Sequence, residues 1–231
     1  MVDGSDPRVR ALSVDEYLVK LREQVDALKV WSNTPDIRFS SKTRERVLLY
    51  FINRAVQIGE AAFYIPKLRT PLALFARTLC EDLFLLFWAS QSEAKALEFE
   101  KRATSASLTV LRKNLEQNRA RIRHRETGED VTQQFLPEIK DLISESPQIR
   151  TLAFESGLGK VYDILYRFNS LDVHGNTFGL PLDEDKNSIP VIVSAIVAFL
   201  RAMLFIVKGE AATAEDILQV LNIRSVEEDQ M

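Results

Sequence analysis

In the stretch YRFNSLDVHG, residues 166–175, six polar side chains crowd together: Tyr166, Arg167, Asn169, Ser170, Asp172 and His174. Arg167 and His174 are seven residues apart, so two helical turns place them on one face with Ser170 between them. A guanidinium can hold two phosphate oxygens, and an imidazole titrates near neutral pH and can move a proton. One helix could therefore carry both tools of phosphoryl chemistry. The plainer reading is that His174 sits at the negative end of a helix closed by Gly175, while Arg167 pairs with Asp163 one turn earlier. Spacing alone leaves both readings open.

Other ionisable residues need accounting too. Arg77 and Glu81 are four apart and share one face of RTLCEDLFLLFWA, a segment otherwise rich in Leu and Phe. Burying either charge alone is expensive, so they should meet each other, another polar helix or a ligand, with an intrahelical salt bridge at the bundle edge as the default. Arg201, inside the apolar run 189–207, either snorkels to solvent or brings a second cation to the same interior. Between residues 101 and 125, Lys101, Arg102, Arg112, Lys113, Arg119, Arg121, Arg123 and Arg125 stand against Glu116 alone. This is a candidate RNA-binding face, although a solvated helix or a surface for an acidic protein partner would look the same. His124 in this run is placed to contact phosphate or solvent rather than to catalyse. Two His and one Cys make no zinc cluster, no Gly-rich phosphate loop follows a strand, and Glu81 and Asp82 point to different faces. Neither metal nor cofactor is expected.

Positioning these groups requires helices. With 231 residues, 46% hydrophobic and 27% charged, the chain can bury one sizeable core, and no boundary suggests a second domain. A net charge of -3 exerts no global pull on nucleic acid or anionic lipid. Ser13 and Glu16 form a capping box, and Tyr17, Leu18, Leu21, Val25 and Leu28 continue at helical spacing to a stop before Pro35. A second helix is expected from Thr43 to about Ile65. Thr70 and Pro71 should start a third that reaches Ser90, and a Ser90–Glu93 capping box should open a long polar helix from about Ser92 to Arg125. Further helices are expected over 132–145, with Phe135, Ile139, Leu142 and Ile143 on one face, and over about 152–173, with Gly157 and Gly159 delaying the regular start. The apolar helix 190–208 and a short one capped by Thr213 and Asp216 complete the pattern.

The fold class that follows is all-α, a single-domain helical bundle of about seven or eight helices over 13–222. A flexible N-terminus, 1–12, and an acidic flexible tail, 223–231, flank it. The N-terminal residues lack the features of a signal or transit peptide, and the lone Cys80 suits a reducing compartment, so a cytoplasmic location is expected. Arg201 makes 189–207 a better central core helix than a membrane span.

The order of an apolar RTLCEDLFLLFWA helix, a long polar helix, YDILYRFNSLDVHG and a final apolar helix resembles a family of bacterial all-helical proteins of uncharacterised function. The resemblance covers roughly residues 44–208 and maps the motif onto Arg77, Glu81, Tyr166, Ser170 and His174. Separately, Arg167 and His174 with six residues between them are similar to the Arg–His motif of the HEPN superfamily, helical proteins that include metal-independent RNases of toxin and antiviral systems. That resemblance implies a homodimer whose two motifs meet, with His174 transferring a proton during 2′-hydroxyl attack and Arg167 stabilising the charged phosphorane. Arg77, Glu81, Tyr166, Asn169 and Ser170 would support the pocket, and Arg112, Lys113, Arg119, Arg121, Arg123 and Arg125 would hold RNA. This sequence departs from the family at Phe168, where a polar residue is common, and Asn169 follows one place later. The alternative function is a noncatalytic helical protein that binds a protein partner or a small ligand and uses the polar pocket to order its helices.

Overall fold

The computed structural model describes residues 12–143, 148–166 and 188–223, and among these the regular structure is helical, with one isolated β-bridge between Arg123 and Asp130. Ten α-helices are present in the described residues: α1 Val14–Ser32, α2 Pro35–Arg38, α3 Thr43–Tyr64, α4 Arg69–Ser90, α5 Glu93–Glu116, α6 Thr132–Asp141, α7 Ile149–Glu155, α8 Gly159–Val161, α9 Ser188–Lys208 and α10 Ala214–Val220. A π-helical turn, Tyr162–Tyr166, continues directly from α8.

Four of these helices close a ring, with α1 against α3, α3 against α4, α4 against α9 and α9 against α1. Their apolar faces make the core, including Leu21, Leu28, Phe51, Leu79, Leu83, Phe84, Phe199 and Leu200. α4 also meets α5 and α7, so it has neighbours on most sides. A helix that is apolar nearly all round is stable only in such a position, which accounts for the composition of its second half. α9 is long and apolar enough to cross a membrane by length and composition, but 56% of its most apolar window is buried against the bundle. Arg201 faces solvent from α9 with its guanidinium carbon 5.5 Å from the Phe205 ring centroid, so it snorkels and brings no cation to the interior. Close approach of α1 to α3 depends on Gly59, where a Cβ would lie 2.5 Å from Val25 Cγ2 and 3.2 Å from Leu200 Cδ1.

The capping boxes at Ser13–Glu16 and Thr213–Asp216 both form as expected. Two other helix starts differ. α4 begins at Arg69 with Leu68 as its N-cap and no side-chain cap hydrogen bond, so Thr70 lies inside the first turn. α5 is capped by Ser92, which accepts from the Lys95 N–H, whereas the Ser90 hydroxyl donates back to the Phe87 carbonyl. Glu93 takes a different role from the one expected. Its two carboxylate oxygens accept from the Thr43 and Arg44 N–H groups at 2.9 and 3.2 Å, satisfying orphan donors at the start of α3.

α5 ends at Glu116, not at Arg125. Asn118 adopts a left-handed conformation with φ 55°, and the Arg119 N–H returns to the Asn114 carbonyl at 2.8 Å, which terminates the helix in a Schellman motif. The chain then folds back in a short hairpin, in which the Val131 N–H reaches the Ile122 carbonyl and the His124 N–H reaches the Glu129 carbonyl. α6 packs against the C-terminal part of α5, and of its expected face only Ile139 is buried, since Phe135 and Leu142 are 42% and 65% exposed. The helix expected from about 152 is also interrupted. Gly157, at φ +80°, ends α7, and a side chain there would be strained and would crowd Ala214 Cβ at 2.8 Å. The regular helix expected through residue 173 is replaced by α8 and the π-turn as far as Tyr166, and 167–173 lie outside the described residues.

Candidate functional site

Three of the expected site residues meet at one point. Arg77 and Glu81 stand one turn apart on α4, and the Arg77 Nε donates to Glu81 Oε1 at 3.1 Å. Tyr166, the last residue of the π-turn, is buried and places its hydroxyl between them. That hydroxyl accepts from Arg77 Nη2 and donates to Glu81 Oε1, both at 3.0 Å. The guanidinium carbon of Arg77 also lies 5.2 Å from the Tyr166 ring centroid. Each side chain of this triangle therefore orients the other two.

Local structure explains the placement. Tyr162 stacks on Tyr166 with centroids 4.8 Å apart and planes inclined by 21°, and Phe84 on α4 flanks both rings. The apolar ring surfaces are thus covered while the hydroxyl finds polar partners, as a buried tyrosine requires. The wider π-turn occurs where the chain delivers this residue to α4, and such turns recur at functional sites. Burial, and then the Glu81 carboxylate, hold the Tyr166 hydroxyl above its ordinary range, so it stays protonated and can donate. Burial opposes the Arg77 charge, but its hydrogen bonds to Tyr166 and Glu81 outweigh this and raise its pKa.

A second polar contact lies one residue further along α4. Asp82 is 3% exposed, faces α3, and brings Oδ2 within 2.9 Å of Arg54 Nε. The contact is an ion pair by distance, but its alignment leaves Oδ2 without a good hydrogen bond. Burial pushes the Asp82 carboxyl up to about 7; Arg54 opposes the shift and Glu81 adds to it. Glu81 and Asp82 thus point to different faces, as their adjacency requires. Arg54 is a site residue that the sequence reading did not pick out. The available signal was Asp82 itself, a carboxylate in a nearly apolar helix that needed a cation from elsewhere.

The remaining expected residues divide into two groups. Arg167, Asn169, Ser170 and His174 lie outside the described residues, as does Gly175. The six basic candidates do not share one helix. Arg112 and Lys113 are on α5, while Arg119, Arg121, Arg123 and Arg125 follow its end in the hairpin. The fold-back brings an acidic partner with it, Asp130, which pairs with Arg121 at 3.4 Å, while Glu116 at the end of α5 approaches Arg112 on its own helix at 3.9 Å and Lys140 of α6 at 3.5 Å. Arg123 donates to the Gly128 carbonyl, and His124 Nδ1 accepts from the Thr127 N–H. The positive charge that looks continuous along the sequence is interleaved with carboxylates in space.

The model of a protein family described as a family of unknown function matches residues 45–188, which include all but the first two residues of α3, the whole of α4 and the Tyr166 site. No curated protein and no solved structure gives a match.

Proposed function

We propose that this chain, which belongs to the family of unknown function DUF5677, is a HEPN-like, metal-independent endoribonuclease. Arg167 and His174 are its reacting pair. The observation that carries the reading is the anchoring of Tyr166 by Arg77 and Glu81, because Tyr166 immediately precedes Arg167 in the chain. A reacting guanidinium must be held in place if it is to stabilise a transition state, and a locked neighbour supplies that restraint. In this reading His174 moves the proton as the RNA 2′-hydroxyl attacks the adjacent phosphorus and the 5′-oxygen departs. Arg167 neutralises the charge on the pentacoordinate phosphorane. Asn169 and Ser170 complete the pocket, two protomers bring their motifs together, and Arg119 and Arg125 with their basic neighbours contact the RNA backbone. A cytoplasmic toxin or antiviral defence protein is the biological setting that this activity fits.

A specific observation favours a second reading. Arg77, Glu81 and Tyr166 satisfy one another, so their contact also suits a noncatalytic protein in which a polar pocket orders the helices and a partner or small ligand binds elsewhere. Incubating purified protein with a labelled mixed RNA pool in EDTA separates the two. The nuclease reading expects cleavage by the wild type and loss of at least about a hundredfold in His174→Ala that keeps its helical circular dichroism. No cleavage by the wild type, or equal cleavage by the variant, removes the assignment.

A further inference from the structure

The basic hairpin carries Asp130 against Arg121, but the solvent side of α3 holds no such counter-charge. Between Glu45 and Glu60 that helix has no acidic residue. Tyr50, Arg54 and Gln57 follow one another at helical spacing, with Asn53 alongside, and all of them are exposed. They form one polar stripe without negative charge.

Arg54 is held from two sides of this stripe. Its Nε lies 2.9 Å from Oδ2 of the buried Asp82, and its Nη1 donates to the Tyr50 hydroxyl one turn back at 3.5 Å. A guanidinium presents a fork of N–H donors, and among the described residues Asp82 and Tyr50 are the partners of this one. Its side chain is 43% exposed, so the remaining donors open to solvent. Burial opposes the charge, but Asp82, Tyr50 and Glu81 outweigh it and raise the Arg54 pKa, which keeps the group a cation. Tyr50 is braced in turn. Its ring meets Phe51 edge-on with centroids 5.2 Å apart and Phe99 at 6.2 Å, while 51% of the residue stays exposed. Asp82 follows Glu81 directly on α4, so the Arg54 contact borders the triangle of Arg77, Glu81 and Tyr166.

We propose that α3 is the substrate-binding wall of this site, where Arg54 binds a backbone phosphate of single-stranded RNA and Tyr50 stacks on a neighbouring base. The choice of RNA as the ligand rests on the nuclease reading. A guanidinium pairs with two phosphate oxygens at once, and an aromatic face stacks any unpaired base, so the two side chains together recognise a strand without reading its sequence. Asp82 holds the guanidinium in place beforehand, which lowers the cost of ordering it on the ligand.

The probe is a fluorescein-labelled single-stranded RNA of mixed sequence, methylated at every 2′-oxygen so that it binds without being cut. It is titrated with the full chain and read by anisotropy at several salt concentrations. Arg54→Gln is expected to bind at least about fivefold more weakly and to lower the slope of log affinity against log salt by about 0.7, the share of one phosphate on a single strand. Tyr50→Ala is expected to lose about fivefold or more with the slope unchanged. Gln57→Glu places a carboxylate one turn from Arg54 and leaves the pair with Asp82 intact, so its weaker binding decides the matter if Arg54→Gln fails to fold. No saturable binding by the wild type, an unchanged slope in folded Arg54→Gln, or wild-type affinity in Gln57→Glu or Tyr50→Ala overturns the proposal. Cleavage of ordinary RNA in EDTA reports separately on the nuclease reading: RNA bound through Arg54 but never cut removes that reading and upholds this contact.

Discussion

The four-helix ring and the arm built from the end of α5, the hairpin and α6 are made of comparably amphipathic sequence, yet they bury very different amounts of it. In the ring, Leu79, Leu83, Ile196 and Phe199 are fully buried. In the arm, Leu115, Ile139 and Thr132 are buried, while Val110, Leu111, Phe135 and Leu142 remain exposed. The difference is the number of neighbours: α4 packs against four other helices, whereas α6 packs chiefly on α5. Periodicity identifies a helix face, but burial depends on how many partners reach it.

Substitutions can break this comparison. The largest effect is expected for Leu83→Ala in the ring, a loss of about 2–5 kcal/mol in urea unfolding, because its neighbours cannot collapse around the cavity. A loss under about 1 kcal/mol would mean that the ring is not close-packed there.

Asp82→Asn probes the charge inside the ring. The Asp82 pKa in the folded chain, about 7, lies above its ordinary 3.8, so between these values the folded state holds the extra proton. Stability from this group is therefore full below about pH 4 and is lost as pH rises through 7, by up to about 4 kcal/mol. Asp82→Asn should flatten that decline and be the more stable protein at pH 8. Parallel pH profiles for the two proteins would contradict the assignment.

Tyr166→Phe keeps the ring stacking and removes the hydroxyl shared by Arg77 and Glu81, so a loss of about 1–3 kcal/mol is expected. The same change should lower RNA cleavage without abolishing it, if Tyr166 acts by positioning Arg167. Ile139→Ala sharpens the contrast from the other side. About 1 kcal/mol is expected, together with faster proteolysis confined to the arm, because the surrounding exposed surface can relax. Smallest of all is Arg121→Ala, a pair partly open to solvent that should cost less than about 1 kcal/mol.

The ring was largely legible in the sequence. Regular apolar spacing in α1, α3, α4 and α9, with the Ser13 capping box at the start of α1, fixes type and approximate extent, since each cue is local. The end of α5 was not legible, because one left-handed Asn118 stops the helix inside a run of residues that are equally acceptable on either side of it. The consequence was a basic helix expected where a hairpin folds Asp130 back onto Arg121. At the site, the four-residue spacing of Arg77 and Glu81 gave their mutual contact. The Tyr166 hydroxyl and Arg54 reach α4 from other elements, and spacing along one helix carries no information about partners from another.

The most direct measurement of the central claim is the end chemistry of RNA treated with the protein in EDTA, read by mass spectrometry. Attack by the 2′-hydroxyl leaves 2′,3′-cyclic phosphate and 5′-hydroxyl ends, and the account expects both from the wild type, with neither from folded His174→Ala and none at a 2′-deoxy position. Intact RNA, or ends carrying a 5′-phosphate, would contradict it.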